Sequence, residues 1–420
     1  MIDRTGLRRI AGRPFSGWLG RLLLLSVAFR VLFPVAVLAR SPDRLLPGLP
    51  HYRYNPLEGD AYGYYFGARE ILDTWRRDAT TMLPVAFLAV VAALAAWRFL
   101  RGARRTVALL WVAGAFVGVI CALIRFTGAA QIGWPLVWSL PLLPYRALGL
   151  PLDPDIAFGV ALVILLACNA ITVIATYELA LITGARRGVA VLAGALIAFW
   201  PLLSLLTGPN AAKNGTWQID LGLSLYTEPI STALVLVGLV VVLRRSSGTV
   251  SALIGGALLG LAVLVRLSNG LIAATVVALL LITHERGRAL AVSLGGLAFA
   301  PAVALYYPKS YPKLKPPVFP AHPFALRYAR DAWTQSLLWH PAVLVVLVPL
   351  ALLGLVTVRS RGAAVLAISI GVTAAFYSFY QLTPIHPRFL FVVLPMLFIL
   401  WAAGAAAVTA RVRGLYDRAR

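Results

Sequence analysis

Four ionisable side chains, Asp60, Glu228, Arg266 and Arg388, stand where charge meets the end of an apolar run, and two kinds of chemistry are open to them. A carboxylate beside aromatic residues can take a proton from a hydroxyl. Asp60 has that setting in GDAYGYYFGARE, with Tyr64 and Tyr65 following it and Glu58 the nearest other acid. The same carboxylate could instead cap the short surface helix that this stretch is able to begin. A guanidinium can grip a phosphate through its planar fork, or simply anchor a helix to lipid headgroups. Arg266 and Arg388 are open to both readings, and His386, two residues before Arg388, could assist a phosphate or a proton transfer or be an ordinary loop histidine. Glu228 precedes Pro229 at the mouth of an apolar run. A carboxylate there needs either a hydroxylated ligand or a salt bridge, for which Arg266 is the nearest choice in type and depth. Asn269, three residues after Arg266, belongs to the same helix end.

The elements that must hold these residues are membrane helices. The chain has 420 residues, 60% of them hydrophobic and 13% charged, with a mean hydropathy of +0.84, more apolar surface than one soluble core can hide. Apolar runs suited to about 30 Å of hydrocarbon recur near 18–39, 81–100, 106–124, 156–182, 189–206, 221–243, 250–265, 271–283, 289–306, 341–358, 363–382 and 389–410. The expectation is an all-α polytopic transmembrane bundle of about twelve spans, one integral membrane domain over 1–420, with a helical outer-face loop region. The first run is too long for a signal-peptide core and reads as a retained span. Cys121 and Cys168 both fall inside apolar runs, so neither a disulfide framework nor a thiolate metal site is expected. P-loop, GxGxxG, HExxH and CxxC patterns are absent, which removes support for nucleotide-driven or zinc-dependent mechanisms.

The arginines orient the bundle. The N-terminus carries Arg4, Arg8, Arg9 and Arg13, and every second gap between runs is short and basic. These gaps hold Arg98, Arg101, Arg104 and Arg105, then Arg186 and Arg187, Arg244 and Arg245, Arg286 and Arg288, and Arg359 and Arg361, and the C-terminus adds Arg411, Arg413, Arg418 and Arg420. By the positive-inside rule both termini are cytoplasmic, and most of the formal charge of +23 is topological, with no bearing on nucleic acid. The stretch 126–152 is apolar too, but Pro135, Pro141, Pro144 and Pro151 with Trp134, Trp138 and Tyr145 suit an interfacial or re-entrant segment better than a span.

The other face differs in kind. Its loops, near 40–80, 125–155, 207–228 and 307–340, are long and hold most of the 15 acids: Asp43, Glu58, Asp60, Glu70, Asp73, Asp78, Asp153, Asp155, Asp220, Glu228 and Asp331. Such loops on a rigid scaffold are where binding and catalysis usually lie, whereas a carrier concentrates ionisable groups near the midplane. Membrane-embedded charges are few, Arg21 and Arg30 in the first run and Glu178 in the fourth; Arg21 can snorkel, while Arg30 and Glu178 require partners that the sequence does not identify. In 307–340, Tyr306, Tyr307, Lys309, Tyr311, Lys313 and Lys315 suit either an anionic lipid phosphate or an interfacial belt.

The order of these features resembles the GT-C superfamily of polytopic membrane glycosyltransferases, in particular protein mannosyltransferases and bacterial lipid-linked sugar transferases. The resemblance rests on GDAYGYYFGAREIL after the first run, on the middle segments LYTEPISTALVLVGLVVVLRR and GGALLGLAVLVRLSNGLIA, and on HPRFLFVVLPMLFILWA at the last run. The family's acidic pair is not reproduced, since Asp60 lies between Gly59 and Ala61. The resemblance implies a membrane enzyme that moves a sugar from a polyprenyl phosphate to an acceptor hydroxyl on a lipid, glycan or protein, on the extracytoplasmic side of a bacterial plasma membrane. It implies Asp60 as the general base, with Arg266 and Arg388 at the phosphate. Glu58, Tyr64, Tyr65, Glu228, Asn269 and His386 would be substrate-binding. Divalent-metal dependence is left open and no metal set is indicated. The alternative reading is a transporter or flippase of lipid-linked sugars, which calls for repeated halves and a midplane site.

Overall fold

The structure is a computed structural model and describes residues 17–39, 60–125, 131–151, 153–201, 227–244, 248–310, 325–326, 328–329, 341–380 and 390–419. Among these residues the ordered elements are helices, and every apolar run of the sequence contains one. In chain order they are α1 (Gly17–Ala39), α2 (Asp60–Arg77), α3 (Ala79–Phe99), α4 (Gly102–Leu123), α5 (Gly133–Ser139) and α6 (Leu143–Ala147). There follow α7 (Pro154–Ile182), α8 (Arg187–Ala198), α9 (Glu228–Leu243), α10 (Thr249–Val265), α11 (Gly270–Ile282), α12 (Arg286–Leu297) and α13 (Ala300–Ser310). The last three are α14 (Pro341–Thr357), α15 (Arg361–Phe379) and α16 (Leu394–Ala419). Single 3₁₀ turns, Leu140–Leu142 and Leu267–Asn269, join α5 to α6 and α10 to α11.

Among the described residues, five helices are long and apolar enough to cross a membrane: α3, α4, α7, α15 and α16. The α12–α13 pair, bent by 45°, would be a sixth. Several of the remaining apolar helices run only 10–17 residues, short of the ~20 that a perpendicular crossing uses. The protein is thus a helical membrane protein. The segment 131–151 behaves as its prolines suggest: α5 and α6 are seven and five residues long, and no helix there could cross.

With lipid outside, apolar surface alone does not decide which helices meet; close approach does. α10 lies against α12 along a glycine seam, where a Cβ on Gly256 would fall 2.1 Å from the Val292 carbonyl oxygen and one on Gly260 2.4 Å from that of Gly296. α14 meets α16 the same way, Gly354 against Leu400 and Gly404 against Leu350. α9 is the most enclosed helix, buried on nearly every side between α7 and α10. Around it gather Leu179, Val235, Leu239, Ile272, Leu366 and Met396 as one continuous core.

The antiparallel packing sorts the turns into two ends. At one end the arginine turns meet: Arg244 pairs with Glu178 at 3.0 Å, Arg288 and Arg361 both reach Glu285, and Gly362 sits against Thr183. Arg104, Thr249 and Gly287 line one groove at the same end. Glu178, whose partner the sequence left unidentified, is therefore an end residue of α7, joined to the arginine turns. Arg30, in α1, is buried, and its guanidinium donates to the Ile197 carbonyl at 3.2 Å. That carbonyl belongs to the last turn of α8, where the helix dipole favours a cation.

Candidate functional site

The opposite end carries Glu228, Arg266 and Asn269. Glu228 is the first residue of α9 and Arg266 the residue that ends α10. Because α9 and α10 are antiparallel neighbours, this places an anion at a helix N-terminus beside a cation at a helix C-terminus, so each charge complements its own helix dipole and the other charge. The Arg266 guanidinium donates to Glu228 Oε1 at 2.8 Å, and the side chains are only 7% and 4% exposed. On another side of the guanidinium lies the Tyr377 ring, its centroid 5.8 Å away, a cation–π geometry. The Tyr377 hydroxyl meets the Ser268 hydroxyl at 2.7 Å. Asn269, 1% exposed, donates to Ser231 Oγ at 2.7 Å and to the Ala262 carbonyl at 2.8 Å. Three elements, α9, the 267–269 turn and α15, are thereby tied by one buried polar network.

Two further helices, α2 and α5, join the hydrophobic cluster next to that network. α2 is amphipathic, with Tyr64, Tyr65, Ala68 and Leu72 on its buried side. These pack with Trp134 and Trp138 of α5, Ile230 and Ala233 of α9, and Val265, the neighbour of Arg266. Gly133, at the start of α5, is seated so closely that a Cβ there would lie 2.5 Å from the Val265 backbone nitrogen. Trp134 and Trp138 stack at 5.5 Å, and Trp138 Nε1 donates to the Ala157 carbonyl at 2.8 Å, which pins α5 to the start of α7.

The polar side of α2 is an electrostatic brace. Glu70 accepts from Arg77 at 2.9 Å and from the Arg125 backbone N–H at 3.1 Å, while Asp73 accepts from Arg146 at 2.6 Å. The hydrogen bond to Glu70 raises the Arg77 pKa above the ordinary arginine value. Arg77 also donates to the Leu123 carbonyl, and Lys309 to those of Cys121 and Ala122, so two cations meet the C-terminus of α4. Lys309 is thus engaged by a helix end, and Tyr306 and Tyr307 are buried.

Of the predicted site residues, Glu228, Arg266 and Asn269 come together, with Tyr64 and Tyr65 in the adjoining aromatic cluster. Both tyrosines are interior residues, 3% and 7% exposed. Asp60 is the first residue of α2, one turn before Tyr64; its side chain is not among the described ones. Glu58, His386 and Arg388 lie outside the described residues. Tyr377, Ser268 and Ser231 were not singled out in the sequence. Their only signal is position, a hydroxyl at the end of an apolar run, and Tyr380 in the same run shares it. Among the described residues no group of three or more His, Cys, Asp or Glu side chains forms a metal set.

No family model matches the chain, and neither the curated proteins nor the solved structures yield a match.

Proposed function

We propose that the protein is a polytopic membrane glycosyltransferase of about twelve spans, related in plan to the GT-C enzymes. It would transfer a sugar from a polyprenyl phosphate to an acceptor hydroxyl, at the face opposite the arginine turns. The observation that carries this reading is one hydrophobic cluster that holds Tyr64 and Tyr65 of α2 together with Ile230 and Val265, which lie next to Glu228 and Arg266 in the chain. Asp60 stands one helical turn, about 5.4 Å, before Tyr64. Asp60 thus heads a helix that shares a cluster with Val265, the chain neighbour of Arg266. In this reaction the carboxylate takes the acceptor's proton as the glycosidic bond forms. The guanidinium meets the charge that develops on the departing lipid phosphate. Inversion at the anomeric carbon follows from a single displacement.

The reading is tested with purified protein in detergent, a radiolabelled polyprenyl-phosphate sugar and membrane extract as acceptor source. Transfer should occur without a second compartment, and Asp60→Asn should lower its rate by about 10²–10⁴-fold. Transport of the intact donor across proteoliposomes with no transfer would replace the enzyme by a flippase.

A further inference from the structure

The Glu228–Arg266 pair poses a charge problem for any phosphate that approaches Arg266. The guanidinium is already neutralised by a carboxylate at 2.8 Å, and both side chains are more than nine-tenths buried. A lipid-linked sugar phosphate is a diester with one negative charge. Adding it to a closed pair would bury two anions against one cation, and an uncompensated buried charge is among the most costly arrangements a protein can hold. Adding it in place of the carboxylate keeps the charge balanced.

We propose that Glu228 is the internal counter-anion of an exchange site at Arg266, holding the guanidinium between turnovers and yielding it to the lipid phosphate when donor binds. This rests on the reading of Arg266 as the phosphate-binding group. Three features of the network suit an exchange. Glu228 is the first residue of α9, so its side chain can swing without moving the body of the helix. Arg266 keeps a second contact that does not depend on Glu228, the Tyr377 face, and Tyr377 is itself fixed by Ser268. The ties of the neighbouring α2, Glu70–Arg77 within the helix and Asp73–Arg146 to α6, do not involve the pair and need not break.

The exchange also has a direction. Sugar transfer breaks the sugar–phosphate bond, and the electron pair of that bond stays with the phosphate oxygen. The product is a phosphate monoester with a second ionisable oxygen, more anionic than the donor. The acceptor's proton goes to the base. Return of Glu228 to Arg266 then recloses the pair once the product has left.

The test uses the full-length protein in lipid nanodiscs, with farnesyl phosphate as the probe and binding read by isothermal titration. Glu228→Gln should bind farnesyl phosphate at least about tenfold more tightly than the unaltered protein, and Arg266→Gln should lose binding. Glu228→Asp, which weakens the pair by shortening one arm, should move affinity the same way by less, and it decides the matter if Glu228→Gln does not fold. Unchanged or weaker binding in the Glu228 variants, with binding still lost in Arg266→Gln, overturns the exchange and leaves Arg266 as the phosphate group. Undiminished binding by Arg266→Gln overturns both. Inorganic phosphate run alongside should bind far more weakly. Equal tightening with that ion would support exchange at Arg266 while contradicting a lipid-borne ligand.

Discussion

Replacing Arg266 with methionine, which keeps much of the side chain's bulk, should be the most destabilising single change at the polar end of the bundle. Glu228, 4% exposed, would lose its 2.8 Å partner. Breaking a buried pair by removing one member costs about 3–5 kcal/mol, because the other charge stays desolvated. Glu228→Gln should cost somewhat less. The amide is neutral, and the Tyr377 face still contacts the guanidinium, although about 0.3–1 kcal/mol of helix-dipole interaction is lost at the start of α9. Removing both charges together leaves neither orphaned. The double variant Glu228→Gln/Arg266→Met should therefore be more stable than the sum of the singles predicts, with a coupling of about 2–3 kcal/mol. Reversible unfolding in mixed micelles, followed by tryptophan fluorescence, gives the three differences. Single effects that simply add, to within about 0.5 kcal/mol, would show that the charges do not depend on each other and would refute the account of the network. The double variant also separates roles. Folded protein without sugar transfer assigns Arg266 to the chemistry, and folded protein with normal transfer makes the pair structural.

Further outcomes follow from packing and topology. Gly256→Leu puts a side chain where even a Cβ lies 2.1 Å from the Val292 carbonyl oxygen, against an ordinary contact of 3.4–4 Å; it should cost at least about 1–3 kcal/mol, read as lost monodisperse protein in size-exclusion chromatography. Gly287→Ala, which meets nothing within 4 Å, should be neutral in the same assay. Trp138→Phe removes the hydrogen bond to the Ala157 carbonyl and should destabilise the protein by about 1 kcal/mol, measured by the same fluorescence unfolding. Cysteines placed at Leu148 and at Arg186, both exposed and at opposite ends of α7, should differ in labelling. A membrane-impermeant maleimide should reach the first in intact cells and the second only after permeabilisation, and the buried Cys121 and Cys168 give little background.

Much of the architecture was legible along the chain because hydropathy and charge are local properties. The apolar runs became helices, the arginine turns gathered at one end through Glu178 and Glu285, and the proline-rich stretch became the short helices α5 and α6. The amphipathic helix after Asp60 was foreseeable from GDAYGYYFGARE for the same reason.

What the sequence alone determined was the type of protein and that its arginine turns share one end, since the bilayer reads each segment's polarity one segment at a time. Only the tertiary structure decided who meets whom. Arg30 found the end of α8, Lys309 found the end of α4, and Tyr377 turned toward Arg266. These pairings depend on how closely helices approach and how far each is rotated. Side-chain size along seams such as Gly256–Gly260 sets both, and no single segment carries that information.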